Sequence, residues 1–566
     1  MPENLLPRRL LFASLVLAAA AALLWLAWRA MAPGGWTPWE ALAFACFAGT
    51  APWTALCAAN ALAGFAILMG ARDPPAAVLP ALLSARPGSV PRLSAAIAVC
   101  VRNERMEDVL PPLGRLLDGL AARGAGDRFT LWLLSDTADP ALAAREKAAV
   151  AAFRAGRPGA AGCIRYRRRA ANTGFKAGNV MDFLDRHAEG FDFLLLLDAD
   201  SRMTAEAVLR LVRIMEAEPG CALVQPTVAG HAAESKFQDL FAFGHRHGAR
   251  VWATGQAWWQ DKEGPFWGHN ALIRIAPFRE HCRLPTLRDG STVLSHDHVE
   301  AARLHAAGWA VRVVPEDSGS TDEHPPHLIA FLDRDHRWAA GNWQYRLLLW
   351  SRDLGRLGRF QMFQALLHYA LAPLWLALLP LAALNAATGG AEGTPRGPLV
   401  ALLFLGYLSL HLPKLAGYAE ALLRPSTAGT ARIGRGALLR KMGREMLFTL
   451  LFEPIAAVDK TAIMFGLATG RRMGWSAQER RARAVGWAEA VRRFWPHTLA
   501  GAALLAMGFA GSAFAGLVLL PAVLGLLLSV PFCVLLSRPH REATAETTIA
   551  FGGDHALVSR TKRLVS

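Results

Sequence analysis

Two carboxylates stand one residue apart, Asp198 and Asp200, directly after the largely apolar run Phe191–Leu197. The run is too short to cross a bilayer and predicts a buried strand of a parallel sheet. In open α/β sheets ligands bind beyond the carboxyl ends of strands. Paired carboxylates at such a position suit a divalent cation that carries a diphosphate. An aspartate after a strand is also a common turn or N-cap residue. The two interpretations can be distinguished only by the other residues of the site.

Further acids follow other predicted strands. Asn103 and Glu104 come after the strand predicted over 94–101, and Asp136 comes after the one over 129–134. If these strands are parallel, their carboxyl ends meet at one edge of the sheet. One carboxylate could then bind the base or ribose of a nucleotide sugar, while the pair Asp198 and Asp200 holds the metal-bound diphosphate.

Lys176 lies in a glycine-containing stretch between these acids, Arg168–Asn179. Glycines permit close backbone approach and a lysine supplies a point charge for phosphate. The alternative for this stretch is an ordinary glycine turn that opens a helix.

Asp297 stands at the predicted start of a helix, between His296 and His298. As a general base it would deprotonate an acceptor hydroxyl. The alternative is a first-turn carboxylate that only stabilises the helix. The two histidines are two residues apart and would point in different directions on a helix, so we do not expect them to share a metal ion.

Arg334, Arg337 and Trp338 precede a long apolar segment. Arginines could neutralise a leaving diphosphate, and a tryptophan could form the floor under a sugar ring. An interfacial membrane anchor is the alternative.

The elements around these residues alternate between strands and helices. Helices are predicted over 106–122, 141–155 and 178–187, and strands over 94–101, 129–134, 163–167 and 191–197. This alternation is typical of a doubly wound parallel sheet.

The rest of the chain is apolar in long runs. It has 566 residues, 53% of them hydrophobic, and a mean hydropathy of +0.24. A helix that spans a bilayer needs about 20 residues. Six such spans are predicted from the uncharged runs 10–28, 41–70, 360–391, 397–413 and 498–537, the last of which holds two.

The net charge of +16 follows the ends of these runs. Basic residues cluster within 432–444 and 471–493, whereas the loops 31–38 and 511–513 have none. By the positive-inside rule the basic loops and the α/β domain face the cytoplasm, in contact with the lipid bilayer and with no nucleic acid as partner. Seven cysteines without a CxxC pair indicate neither a zinc site nor a disulfide framework.

The fold class predicted is a polytopic α-helical membrane protein with a cytoplasmic α/β domain inserted between transmembrane helices. The first apolar run follows two arginines as a signal peptide would, but we expect it to remain as part of a hairpin. Polar residues in the middle of 446–470, flanked by basic loops, predict a re-entrant or interfacial hairpin there. The expected units are an N-terminal transmembrane hairpin over 1–71, a linker over 72–93, the α/β domain over 94–358, transmembrane helices over 359–424, basic cytoplasmic loops with that hairpin over 425–496, a C-terminal transmembrane hairpin over 497–537 and a cytoplasmic tail over 538–566.

In this order the motifs resemble the processive inverting family 2 glycosyltransferases, the family of cellulose, hyaluronan and chitin synthases. The matching positions are Asp136, the Asp198-Ala199-Asp200 triplet, Asp297 and the stretch Arg334–Trp338. Two departures stand out: His296 replaces the acid that precedes the base, and Arg334 stands at the glutamine position of the QxxRW signature. Within the family, the stretches 266–270, 295–300 and 337–342 are most similar to the proteobacterial enzymes that make the backbone of osmoregulated periplasmic glucans.

The resemblance implies a GT-A-like domain, UDP-glucose as donor, a growing β-glucan chain as acceptor and product, and Mg²⁺ or Mn²⁺ as cofactor. It also implies a multi-pass protein of the bacterial inner membrane with acyl carrier protein as a partner. We expect this chain to lack a long N-terminal extension seen in some relatives. Donor-site residues would be Asn103, Glu104, Asp136, Lys176, Asp198, Arg334 and Arg337, and Asp198 and Asp200 would hold the metal. Trp267, His269 and Trp338 would bind the acceptor. Two alternatives remain, a non-processive transferase acting on a lipid-phosphate acceptor and a transporter or sensor with a degenerate transferase domain.

Overall fold

The computed structural model describes residues 5–85, 91–431, 433–471 and 479–539. Arg432 and Arg472, counted among the loop charges, and most of the tail predicted over 538–566 lie outside these ranges. The helices of the described residues are α1 Leu6–Met31, α2 Pro38–Gly70, α3 Pro74–Val78, α4 Ala81–Ser84, α5 Met106–Ala121, α6 Pro140–Ala155, α7 Phe175–Arg186, α8 Ala205–Ala217, α9 Lys236–Gln260, α10 Ile275–His281, α11 Asp297–Ala306, α12 Leu328–Gln344, α13 Arg356–Ala370, α14 Ala372–Ala387, α15 Arg396–Leu423, α16 Arg435–Ala468, α17 Trp487–Gly511, α18 Ala513–Leu527 and α19 Ser529–Leu536.

The strands form a large and a small sheet. They are β1 Ala95–Val101, β2 Phe129–Ser135, β3 Ile164–Arg168, β4 Phe193–Asp198, β5 Arg202–Met203, β6 Cys221–Pro226, β7 Ala229–Gly230, β8 Ala271–Arg274, β9 Ala310–Val314 and β10 Ser320–Asp322. The large sheet has the order β3-β2-β1-β4-β8-β6-β9, and the small one β5-β10-β7.

The large sheet is parallel except for one strand. β8 runs antiparallel to both of its neighbours, β4 and β6. The expectation of a fully parallel sheet is therefore wrong at β8. This strand follows the loop 261–270, which enters the sheet from the edge where the parallel strands end, and it must run in the opposite direction.

Apolar residues on both faces hold the sheet in place. The alternate residues Ile97, Val99 and Leu195 pack against α5 and α8, while Ala96, Ala98 and Leu194 pack against α7 and α10. Because both faces are covered, β1 and β4 are almost continuously apolar, as the sequence indicated.

By length and composition, four helical segments among the described residues could cross a membrane. They are α1, α2, the combined segment Arg356–Ala387 and α15, and the bent pair α18–α19 would be a fifth. The sixth expected span falls on α17, whose first turns carry Glu489, Arg492 and Arg493. α17 is not among the helices that meet the criteria.

The hairpin predicted within 446–470 is wrong, because α16 is one continuous helix of 34 residues. The polar residues that motivated the hairpin find partners on other helices. The Glu453 carboxylate lies 3.2 Å from His411, and Lys460 Nζ lies 3.1 Å from His368 Nε2. Asp459 accepts hydrogen bonds from Arg493 and lies 3.1 Å from His497 Nε2. Because these polar side chains are paired with residues of other helices, they are compatible with one continuous helix.

Candidate active site

The carboxyl ends of β1, β2 and β4 meet at one edge of the large sheet. Their register is parallel, with Val101 beside Ser135 and Cys100 beside Asp198. The residues that follow these strands therefore lie together, as the sequence predicted. Asn103 adopts a φ of 59°, and its backbone N–H donates to Thr137 Oγ1 at 2.8 Å, which fixes the turn after β1.

Asp136 is paired with an arginine that the sequence analysis did not single out. Arg169 donates from Nε and Nη2 to the two carboxylate oxygens, each at 2.7 Å, and both side chains are buried. Arg169 directly follows β3, the neighbour of β2, so the parallel register brings the two together. Such a bidentate pair fixes the Asp136 carboxylate in one orientation.

Asp198 forms an ion pair with Lys176, which stands in the first turn of α7. Lys176 Nζ also donates to the backbone oxygen of Gly268 at 2.8 Å. Burial raises the pKa of Asp198, but Lys176, His269 and Arg480 together outweigh it and leave the pKa below its ordinary value. The lysine predicted to meet a phosphate therefore lies against the first predicted metal ligand.

Arg480 joins the same edge from the connection between α16 and α17. Its Nη2 donates to Glu104 at 3.0 Å, and its Nη1 lies 3.7 Å from Asp200 Oδ2. From the sequence, Arg480 is only one of the charges in a basic loop. No spacing pattern could have linked it to Glu104, which is 376 residues away.

Asp322 at the end of β10 and Glu323 directly after it add two acids beside this group. Burial, followed by the charge of Asp200, raises the pKa of Asp322 to about 6 and that of Glu323 to about 7. His269 Nε2 lies 3.7 Å from Asp322 Oδ2. His269, predicted to bind the acceptor, thus stands among the acids of the predicted donor site.

Asp297 lies on the other side of the loop that holds Gly268. Gly268 has a φ of +87°, and a Cβ placed on it would lie 3.7 Å from Asp297 Cβ and 4.0 Å from its Oδ2. One glycine therefore contacts Lys176 through its oxygen and approaches Asp297 through its Cα. The positive φ favours glycine at this position, whereas the distances to Asp297 are those of ordinary van der Waals contact.

Imidazoles surround Asp297. His298 Nδ1 lies 3.7 Å from Asp297 Oδ2. Burial raises the pKa of Asp297, but His298 and His296 outweigh it and lower the pKa to about 2. His296, the departure from the family pattern, pairs at 2.8 Å with the buried Glu300, so that a carboxylate still stands near the position of the missing acid.

Arg334, Arg337 and Trp338 lie on α12. Arg334 Nη1 donates to the Glu323 backbone oxygen at 3.1 Å, and its guanidinium lies 4.6 Å from the centre of the Trp338 ring. Arg334 and Arg337 are buried, whereas Trp338 is 45% exposed. Arg334 therefore adjoins Asp322 and Glu323, with the exposed Trp338 ring next to it.

The three residues predicted to bind the acceptor do not form one group. His269 stands beside Asp322, Trp338 beside Arg334, and Trp267 lines a separate cavity that includes His298. Trp267 is held by its backbone N–H, which donates to Gln225 Oε1 at 3.0 Å.

The donor set at Asp198 and Asp200 fits a divalent cation that also binds phosphates. Among the described residues, no three His, Cys, Asp or Glu side chains converge in the geometry of a metal site. Mg²⁺ is usually bound through one or two carboxylates plus substrate phosphates, so two aspartates suffice. In the structure the two carboxylates pair with the cationic side chains of Lys176 and Arg480. A divalent cation would satisfy the same negative charge.

The chain matches known glycosyltransferase families in sequence. The sequence profile of glycosyl transferase family 2 matches residues 96–282, and that of glycosyl transferase family group 2 matches residues 193–413. Among solved structures, the chain resembles the mannosyltransferase PcManGT from Pyrobaculum calidifontis in complex with GDP-Man and Mn²⁺. That match has a TM-score of 0.39 and 16% identity, and it covers 65% of this chain and 99% of that one.

Curated relatives match over nearly the whole chain. Glucans biosynthesis glucosyltransferase H of Bradyrhizobium diazoefficiens is 34% identical over 539 residues, covering 91% of this chain and 71% of the relative. The protein of the same name from Xanthomonas campestris pv. campestris is 31% identical over 551 residues, covering 92% of this chain and 83% of the relative. The chain belongs to the glucans biosynthesis glucosyltransferase H family, within the family 2 glycosyltransferases.

Proposed function

We propose that the protein is an inverting glucosyltransferase of the bacterial inner membrane that polymerises glucose from UDP-glucose into a β-glucan. The product is the backbone of osmoregulated periplasmic glucans, and the same chain exports it. Family membership supports glucan synthesis and gives no support to transfer onto a lipid phosphate.

The observation that carries this proposal is the position of Gly268. Its oxygen accepts from Lys176, which pairs with Asp198, and its Cα faces Asp297. A donor bound at Asp198 and an acceptor hydroxyl bound at Asp297 would then be separated only by Gly268. Single displacement requires this proximity of base, acceptor and anomeric carbon.

In the proposed reaction, the Asp297 carboxylate takes the proton of an acceptor hydroxyl. The hydroxyl oxygen attacks the anomeric carbon and forms the new glycosidic bond, with inversion. The bond from that carbon to the diphosphate breaks, and its electron pair leaves with UDP. Lys176, Arg337 and Arg480 are the cations of this chain that offset the charge of the departing diphosphate.

Asp198 and Asp200 would hold a divalent cation, Mg²⁺ or Mn²⁺, which when bound neutralises diphosphate charge. Asn103, Glu104 and Asp136 would contact the nucleoside. The orientation of the Asp136 carboxylate, fixed by Arg169, supports such a role. Trp338 and His269 would contact the acceptor sugar next to the donor.

The test of this assignment is Asp297→Asn. General-base catalysis typically contributes about 10²- to 10⁴-fold, so glucan synthesis should fall by that factor while UDP binding persists. Asp289→Asn, in an exposed turn, is the matched control and should leave both unchanged. Synthesis by Asp297→Asn at the rate of the control would overturn the role of Asp297.

Acyl carrier protein is proposed as a partner from the family resemblance. The start of α16 offers exposed basic residues, Arg435, Arg440 and Arg444, to an acidic protein. Reversing the charge at Arg440 and Arg444 should weaken binding of acyl carrier protein in a pull-down, whereas reversal at Arg186 on α7 should not. Equal binding by both variants would place the partner elsewhere.

A further inference from the structure

A cavity of about 390 Å³ lies directly beyond the proposed base. Its wall includes His298, the residue after Asp297, and Trp267, the residue before Gly268. α2, α9 and α13 close the other sides. The volume falls within the range of small-molecule sites, about 300–1,000 Å³.

Three tryptophans from different parts of the chain face this cavity. Trp53 comes from α2, Trp252 from α9 and Trp267 from the loop before β8. Indole rings present broad apolar faces, and each carries one N–H donor at its edge. The C–H face of a sugar ring is the kind of surface that such rings bind.

Amide side chains fill the space between the tryptophans. Gln256, Gln361, Gln364 and Asn342 all line the cavity. Gln361 is only 3% exposed, and its Nε2 donates to Gln260 Oε1 at 3.2 Å and to the Glu263 backbone oxygen at 2.7 Å.

One buried polar atom at this cavity, Gln361 Oε1, has no hydrogen-bond partner among the described residues. His298 Nδ1 makes no hydrogen bond there either, but it lies 3.7 Å from the Asp297 carboxylate. A buried polar atom without a hydrogen bond is costly, so Gln361 Oε1 calls for a ligand with a hydroxyl group.

The composition of the cavity wall limits the class of ligand that fits. Of the described residues that line the cavity, none is Lys, Arg, Asp or Glu. A nucleotide or phosphate would lack cationic partners there. An acyl chain would leave the four amides unpaired. A neutral ligand with both apolar faces and hydroxyls remains, which is the chemistry of a saccharide.

We propose that this cavity binds the glucose unit that precedes the acceptor terminus and so selects the hydroxyl presented to Asp297. The proposal rests on the proposed glucan synthesis and adds to it a second saccharide site, separate from Trp338, with Trp53, Trp252 and Gln364 in its wall. It follows that the cavity sets the linkage of the product, because the preceding unit fixes the orientation of the terminal one.

The test uses the full-length protein in lipid nanodiscs, free of sugar-based detergents. Isothermal titration calorimetry with the β-linked glucose disaccharides sophorose, laminaribiose, cellobiose and gentiobiose should show preferential binding of one of them, with α-linked maltose weaker. Trp53→Leu and Gln364→Leu should each weaken that binding about tenfold, since a stacking surface or a hydrogen-bond partner is lost. UDP binding, measured in the same samples, should not change.

Matched controls are Trp350→Leu, at an exposed position outside the cavity, and Phe363→Leu, on the outward face of α13 next to Gln364. Gln256→Leu replaces either cavity variant that fails to fold. Binding by the cavity variants equal to that of the controls would overturn the proposal, as would no binding of any β-disaccharide or equal binding of maltose. If the wild-type protein binds UDP but makes no glucan, the proposed function is wrong. The disaccharide titrations still test whether the cavity binds a saccharide, because they do not require glucan synthesis.

Discussion

At Asp297, burial and neighbouring charge act in opposite directions. Burial alone would raise the pKa of the carboxyl group. His298 and His296 reverse this and lower the pKa to about 2. The carboxylate is therefore ionised over the whole physiological range and is ready to accept a proton.

This balance predicts a shift in pH dependence for His298→Gln. A folded-state pKa below the ordinary 3.8 means that Asp297 binds a proton only in strong acid. Without His298, burial is less opposed and the pKa rises, so protonation begins at higher pH. The ratio of kcat/KM at about pH 5 to that at about pH 8 should therefore be lower in the variant than in the wild type.

The ratio between two pH values cancels any loss of acceptor affinity that is the same at both. His281→Gln, on α10, is the matched control and should keep the wild-type ratio. An unchanged ratio in His298→Gln would mean that His298 does not set the charge state of Asp297.

Between elements, the contact of α2 with α9 depends on two glycines. A Cβ on Gly64 would lie 2.1 Å from the Val251 oxygen, and one on Gly255 would lie 2.1 Å from the Asn60 oxygen. Asn60 Oδ1 in turn accepts from Trp259 Nε1 at 3.0 Å. The two helices approach at backbone distance, as helices with small residues at their interface do. This contact attaches the N-terminal hairpin to the segment that leads into β8 and Gly268.

Gly255→Ala should therefore destabilise the protein. The added methyl group must push the backbones apart, and overpacking of this kind costs about 1–3 kcal/mol. The measurement is the Tm of the purified protein, followed through intrinsic fluorescence. Gly443→Ala, inside α16 with open space around it, is the control and should be neutral or stabilising by up to about 1 kcal/mol. Equal Tm values for the two variants would contradict the close contact.

Over the whole molecule, three connections meet at the end of the helical bundle away from the sheet. A Cβ on Gly34 would lie 3.1 Å from Gly393 Cα, and one on Gly511 would lie 2.3 Å from the Ala386 oxygen. Thr37 Oγ1 donates to Asn385 Oδ1 at 2.7 Å in the same region. The connections 32–37 and 388–395 contain no Lys or Arg. The positive-inside rule predicts that this end faces the periplasm and that the α/β domain faces the cytoplasm.

Reporter insertions test this orientation. An enzyme that is active only outside the cytoplasm should be active when inserted after Gly35 or Gly393, because both lie at the end without basic residues. The same reporter inserted after Gly290, in an exposed turn of the α/β domain, should be inactive. Activity at Gly290 with none at Gly35 would invert the proposed topology.

The sequence by itself determined the elements of the α/β domain and the residues at its strand ends. Strands β1, β2 and β4 and helices α5 and α6 lie within one or two residues of their predicted bounds. Apolar runs and helical periodicity depend on neighbours along the chain, so they are readable without the fold. For the same reason the grouping of Glu104, Asp198 and Asp200 followed once the strands were taken as parallel.

Only the tertiary structure decided which charges meet. Arg480 reaches Glu104 across 376 residues, Arg169 donates to both oxygens of Asp136, and Glu300 pairs with His296. α16 is one helix because Glu453 and Asp459 find partners on other helices. Spacing along a chain indicates which side chains share a face of a helix or strand. A buried charge, however, is stabilised by the residues of the element packed against it. Those residues are known only once the packing of the elements is known.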